Sequence, residues 1–310
     1  MHKPFKANQD MSDTEQLSPE VLAFFDKDSS TFSYIVKDPT SKACAIIDSV
    51  LDFDYASGTV HYQGADKIID CVQKRGLQVK YLLETHVHAD HLSAAPYVQS
   101  VLGGKIAISK HIIEVQEVFA KTFNEGTEFE RDGSQFDVLL DDDYRYEIGA
   151  LRGRAIHTPG HTPACMTHVL GDAGFVGDTL FMPDGGTARA DFPGGDARIL
   201  YQSIKKVLSL PAQTRLFMCH DYQPNGRDLE YMTTVAEQNA SNIHIKQGIS
   251  EDEFVNMRLT RDATLGMPRL ILPALQVNMR AGHFPEPEEN EVAYLKVPVT
   301  GLKKSLLTHS

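Results

Sequence analysis

The stretch Thr85-His86-Val87-His88-Ala89-Asp90-His91 constrains this chain more than any other. Three imidazoles and a carboxylate fall within six residues, directly after the apolar run Val79-Lys80-Tyr81-Leu82-Leu83-Glu84. That run reads as a buried strand. The cluster therefore sits on the turn at the strand's carboxyl end, where open α/β architectures bind ligands. His86 and His88 are two residues apart and converge on one point only from a bent backbone. A solvated turn with incidental histidines is the bland alternative, and the density of ligand types argues instead for a metal site.

Composition bounds what such a site serves. The chain has 310 residues, 42% of them hydrophobic, enough for a sizeable core. Acidic residues outnumber basic ones 42 to 30, a formal charge of −12. That balance argues against non-specific nucleic-acid binding, which needs clustered positive charge, and against docking on anionic membranes. Cys44, Cys71, Cys165 and Cys219 form no CxxC pair, so a reducing compartment and a cytoplasmic protein are expected. Residues 1–17 lack the apolar stretch of a secretory signal and read as a disordered extension. Residues 18–310 read as one domain with a helical carboxyl-terminal portion.

In chain order, Val21 to Phe25, Phe32 to Val36 and Ala43 to Ile47 read as strands of an antiparallel meander. Ala65 to Lys74 carries Ile68, Ile69 and Val72 at helical spacing, and Gly76 is the expected C-cap. Leu92 to Leu102 reads as a helix, Lys105 to Ser109 as a strand, and Lys110 to Phe119 as a helix. Strands are expected again at 138–140, 144–148 and 151–156. The acidic run Asp141-Asp142-Asp143 between them reads as a solvated turn rather than a cation site. Near the carboxyl end, Leu229 to Asn239 and Glu251 to Leu265 read as helices, the second behind a Ser250 N-cap with Glu253 at N3.

Three further stretches repeat the logic of the first. His157-Thr158-Pro159-Gly160-His161 follows a strand, with proline and glycine stiffening the backbone around His161. Phe175-Val176-Gly177-Asp178 ends an apolar run in a carboxylate, and Leu216-Phe217-Met218-Cys219-His220 ends one in an imidazole. Each alone is weak evidence. Four strand ends carrying ligand-capable side chains form a strong joint signal. Cys165 and Cys219 lie beside His161 and His220, yet both sit in apolar runs and read as buried structural thiols.

HxHxDH, Pro-Gly-His, Gly-Asp and the late strand-end His resemble the metallo-β-lactamase superfamily, from about Phe24 to Tyr222. The resemblance implies an α/β fold, a four-layer αβ/βα sandwich of two mixed sheets flanked by helices with the metal at the sheet edges. Gly177 to Gly195, His220-Asp221-Tyr222 and Gln276 to Gly282 further resemble persulfide dioxygenases, in particular bacterial members acting on glutathione persulfide. Gly185 departs from that pattern, standing where close relatives tend to carry an aromatic residue, which implies a different active-site wall.

That family resemblance implies one Fe(II) held by His86, His161 and Asp178. Two imidazoles and one carboxylate on one face leave positions open for dioxygen and for the terminal sulfur. His88, Asp90, His91 and His220 are then expected around the iron in catalytic roles, with Asp90 hydrogen-bonding a ligand histidine or a bound water. Arg189, Tyr222 and Arg280 fall in family-like motifs and are expected to bind the glutathione moiety, whose carboxylates suit arginine's fork. The implied partners are glutathione persulfide and dioxygen, with no nucleic acid and no membrane; a homodimer stays open. A zinc thiolester hydrolase of the glyoxalase II kind is the alternative, using both halves of HxHxDH with Asp178 bridging two ions. A non-catalytic metal-binding sensor is the third reading.

Overall fold

Along strand Thr31–Lys37 the side chains of Phe32, Tyr34 and Val36 face one way and Ile35 the other, and both faces are buried. A strand with two apolar faces needs a covering layer on each side. That requirement organises the molecule, a computed structural model describing residues 17–303.

Six strands form the first sheet in the order Glu20–Asp26, Thr31–Lys37, Ala43–Ile47, Gln78–Leu83, Lys105–Ser109 and Val138–Leu140. The first three are the antiparallel meander expected from sequence. The last three run parallel to Ala43–Ile47 through helical crossovers. The second sheet takes Tyr144–Ile148, Leu151–His157, Met166–Leu170, Ala173–Phe175, Arg215–Phe217 and Met232–Thr234 in order. Its single parallel step joins Ala173–Phe175 to Arg215–Phe217.

Phe32, Tyr34, Val36, Ala45 and Ile47 of the first sheet pack on Tyr146, Leu151, Met166, Phe175 and Phe217 of the second. Ile35, Cys44, Ile46, Leu82 and Ile106 instead face helices Gln63–Arg75, Ala95–Leu102 and Ile112–Thr122. Beyond the second sheet, Leu216 and Met218 meet helices Ala197–Val207 and Glu251–Asp262. The order helix, sheet, sheet, helix is the expected four-layer sandwich. Among the described residues no helix is long and apolar enough to cross a membrane.

Several local expectations hold in detail. Gly76 caps its helix with φ at 60°. Ser250 and Glu253 form the reciprocal capping box, and Asp143 takes positive φ in a turn. Others need correction. Leu92–Ser93 is a short strand paired with Val50–Leu51, and the helix starts at Ala95. Ser93 N donates to Asn278 Oδ1 and Ser93 Oγ accepts from Ala95 N, which holds the segment extended until the helix opens. Met232–Thr234 joins the second sheet before helix Val235–Ser241 begins, because Thr234 caps that helix. The 1–17 extension lies outside the described residues except for Leu17.

Candidate metal centre

All four ligand-bearing stretches emerge from carboxyl ends of strands along one edge of the sandwich. The backbone bridge between Thr31 and His220 joins the two sheets there, with Phe32 N donating to Cys219 O at 2.7 Å. His86 follows strand Gln78–Leu83, His161 follows Leu151–His157, Asp178 follows Ala173–Phe175, and His220 follows Arg215–Phe217. Gly177 lets the Asp178 turn close onto the first motif. Its φ is +51°, and a Cβ there would lie 2.7 Å from Thr85 Oγ1.

His86, His161 and Asp178 come together as one buried ligand group, each offering an atom within 4.8 Å of the others. Asp178 Oδ2 lies 3.6 Å from His161 Nε2 and 4.0 Å from His86 Nε2. His161 Nδ1 is oriented by the Arg189 carbonyl at 2.8 Å, and His86 Nδ1 meets Thr85 Oγ1 at 3.1 Å. His86 Nε2 is buried and has no hydrogen-bond partner among the described residues. A buried polar atom without a partner is costly. A metal ion would supply the missing partner, and the donor set of two imidazoles and one carboxylate fits Fe(II) or zinc.

A second group, His88, Asp90 and His91, lies in the same loop. His88 Nδ1 and His91 Nε2 are likewise buried without partners. His220 connects the two groups: its Nε2 is 3.2 Å from Asp178 Oδ1 and 3.7 Å from Asp90 Oδ2. The Asp178 contact lies off the line of a hydrogen bond, since Oδ1 has no bonded partner. Burial alone would lower the His220 pKa, but Asp178 and Asp90 push it up to about 10. Burial would raise Asp178, and the surrounding His220, His86 and His161 hold it well below the usual carboxylate range.

Asp48 underlies the whole arrangement and was not singled out from sequence. Its Oδ1 accepts from Thr85 N at 2.8 Å and faces His88 Nε2 at 3.0 Å; its Oδ2 accepts from Thr85 Oγ1 at 2.9 Å. One carboxylate thus orients His88 directly and His86 through Thr85, the kind of outer support that ligating histidines need. Its signal in the sequence was the same as the others: a polar residue at the end of the apolar strand Ala43–Ile47. Glu84, also buried, contacts His88 at 3.6 Å and accepts from Ser93 Oγ at 2.6 Å. Burial raises its pKa to about 8.

The first group opens into a cavity of about 490 Å³, with Asp90, His161, Asp178, His220 and Tyr222 on its wall. Phe181 and Phe192 form its apolar sides, and Gly185 lines it as the departure from the family pattern suggests. Tyr222 is 60% exposed and stacks on His220 with ring centroids 5.5 Å apart. Arg189 lines the cavity, but its fork is committed to Asp191 at 2.6 and 2.7 Å and to Gly266 O at 2.6 Å.

Arg280 is not brought to this cavity, which corrects its assignment to the substrate. Its guanidinium pairs with Glu125 at 2.9 Å, donates to Gln276 O at 2.7 Å and lies over Phe129. It borders a separate cleft beside Glu125 and Lys296. Two other arginines, absent from the sequence-based expectation, line the metal cavity. These, Arg261 and Arg269, are exposed and have no ion pair or side-chain hydrogen bond among the described residues. Cys165 and Cys219 are buried as expected, and burial pushes the Cys165 thiol up to about 12.

The model of the metallo-beta-lactamase superfamily matches residues 26–220. The chain belongs to that superfamily. Within the superfamily, it is 59% identical to a Burkholderia pseudomallei protein named "Probable metallo-hydrolase", over 91% of this chain and 99% of that one. It is 50% identical to the beta-lactamase hydrolase-like protein of Agrobacterium fabrum, of whose length it spans 66%, just under two thirds. Dictyostelium discoideum Glyoxylase B2 is 46% identical over 92% of this chain and 98% of that protein. Human mitochondrial persulfide dioxygenase ETHE1 is 30% identical over 83% and 87%. The crystal structure of ETHE1 from Myxococcus xanthus superposes with a TM-score of 0.68 at 27% identity, covering 85% of this chain and all of that one.

Proposed function

We propose that this superfamily member is a cytoplasmic Fe(II)-dependent persulfide dioxygenase acting on glutathione persulfide. The reaction is glutathione persulfide plus dioxygen plus water giving glutathione, sulfite and two protons. The observation that carries the reading is the His86, His161 and Asp178 group, with the unpartnered His86 Nε2 aimed at its centre and a cavity open on one side. The likeness to ETHE1 proteins in sequence and structure supports it.

Fe(II) bound by these three residues would supply open positions for dioxygen and a soft sulfur donor. The chain's own groups do the rest. Phe181 and Phe192 wall the sulfur end of the cavity and keep bulk water from it. Arg261 and Arg269 meet the glutathione carboxylates at the mouth, where their unpaired forks receive them bidentately. Arg189 shapes the wall through Asp191 and the face of Phe192 rather than touching substrate. Asp90 Oδ2, which accepts from Thr31 Oγ1 at 3.1 Å, and His220 Nε2 together hold a proton beside the ligand group.

A second reading has its own observation. His88 Nδ1 and His91 Nε2 are unpartnered beside Asp90, as a two-zinc thiolester hydrolase would require, and some relatives carry hydrolase or glyoxylase names. Protein purified without added metal separates the two. About one iron per chain and oxygen uptake with glutathione persulfide support the dioxygenase. Two zinc ions per chain, with no oxygen uptake by iron-loaded protein and hydrolysis of a glutathione thiolester, overturn it.

A further inference from the structure

The backbone of the metal-binding loop is held from the far end of the chain by one side chain. Asn278 closes helix Ile271–Asn278 and is buried. Its Nδ2 donates to His88 O and to His91 O, both at 2.8 Å. Its Oδ1 accepts from Ser93 N, also at 2.8 Å. Between His86 and His91 no other hydrogen bond to a backbone group is present among the described residues. A loop whose imidazoles must converge needs its carbonyls fixed, and here a single amide satisfies two of them.

The turn after the helix is built to hold that amide in place. Ala281 and Gly282 both take positive φ, 57° and 88°. Gly282 N returns to Val277 O at 3.1 Å. A Cβ on Gly282 would stand 2.6 Å from Pro96 Cδ and 2.9 Å from Ser93 O. The backbone at 282 therefore presses directly on the segment that follows His91, and glycine is required for that approach.

We propose that Asn278 is a positioning residue for the metal centre: its amide sets where His88, Asp90 and His91 stand relative to His86, His161 and Asp178. This rests on the chain holding a metal in that loop and not on the substrate of the reaction. The carboxamide is the one common side chain that offers two donors and an acceptor from the same short stem. Aspartate has the same shape and keeps the acceptor, but it loses both donors and sets a negative charge against two carbonyls.

The test compares full-length wild type with Asn278→Asp and Asn278→Ala, each depleted of metal and reloaded with Co(II) as a spectroscopic probe. Both variants are expected to shift the Co(II) absorption bands and to bind Co(II) at least tenfold more weakly, with unchanged far-UV circular dichroism. In the iron-loaded forms, kcat should fall at least tenfold while KM stays within threefold. Should neither variant fold, Gly282→Ala keeps the amide but displaces the turn, and it should move the Co(II) bands in the same way. Lower thermal stability with wild-type Co(II) spectrum and affinity would assign Asn278 a merely structural role and overturn the proposal. Altered Co(II) spectra without any oxygen uptake in wild type would leave the positioning role intact while rejecting the dioxygenase reading.

Discussion

His161 Nε2 faces Asp178 Oδ2 at 3.6 Å, a separation too long for a hydrogen bond and suited to two ligands of one ion. Because Asp178 is the only carboxylate in this ligand group, Asp178→Asn removes its negative charge while keeping its shape. The variant should retain less than a tenth of the wild-type metal, measured by elemental analysis after desalting. Metal content equal to wild type would move the ion to the His88, Asp90 and His91 group.

Asp90 distinguishes a mononuclear from a dinuclear centre. It contacts Thr31 Oγ1 and His220 but stands outside the first ligand group. Asp90→Ala should keep most of the iron and lose about a hundredfold or more in kcat, the range expected for losing a positioned proton-handling group. Parallel loss of metal and activity would make Asp90 a ligand and favour two ions.

The arginines at the cavity divide by what they already touch. Arg261→Ala and Arg269→Ala free no buried partner, so each should raise KM for glutathione persulfide about tenfold, as loss of a charge-assisted contact of about 1.5 kcal/mol implies. Their effect on kcat should stay within threefold. Arg189→Ala breaks contacts to Asp191 and Gly266 O and should lower thermal stability with a smaller change in KM. A large KM effect confined to Arg189 would return the carboxylate site to that residue.

Acid sensitivity should trace in part to His168, a buried histidine that stands outside the two candidate ligand groups. Burial pulls its pKa down to about 4, below the ordinary value of 6.5. Its Nδ1 meets Tyr146 Oη at 3.0 Å. The folded protein keeps this ring neutral, whereas the unfolded chain takes up a proton below pH 6.5. Its contribution is therefore complete above about pH 6.5 and is lost as pH falls toward 4. At pH 5 the loss amounts to about 2 kcal/mol. Urea unfolding at pH 7.5 and 5 checks it: His168→Gln should lose less stability across that interval than wild type does, and an identical loss would locate the acid sensitivity elsewhere.

The sequence alone determined the ligand-bearing strand ends and their order, because each was written locally: an apolar run followed by His86, His161, Asp178 or His220. The sandwich was legible only through the resemblance those motifs carry; the structure supplies its physical reason, a strand Thr31–Lys37 buried on both faces and so covered by a layer on each. The structure decided which charged groups were already occupied. Arg189 and Arg280 fall in family-like motifs and Arg261 does not, yet nothing along the chain says which guanidinium is left open to a substrate. Packing pairs the first with Asp191 and the distant Gly266 carbonyl, commits the second to Glu125, and leaves the third without an ion pair among the described residues at the cavity. Asp48 and Asn278 were equally illegible as partners of the Thr85–His91 loop. Their hydrogen bonds span 37 to 190 residues of sequence, and no local spacing encodes a contact that forms only when distant elements pack. The motif therefore announced a metal, and the tertiary structure decided which residues hold its loop in shape.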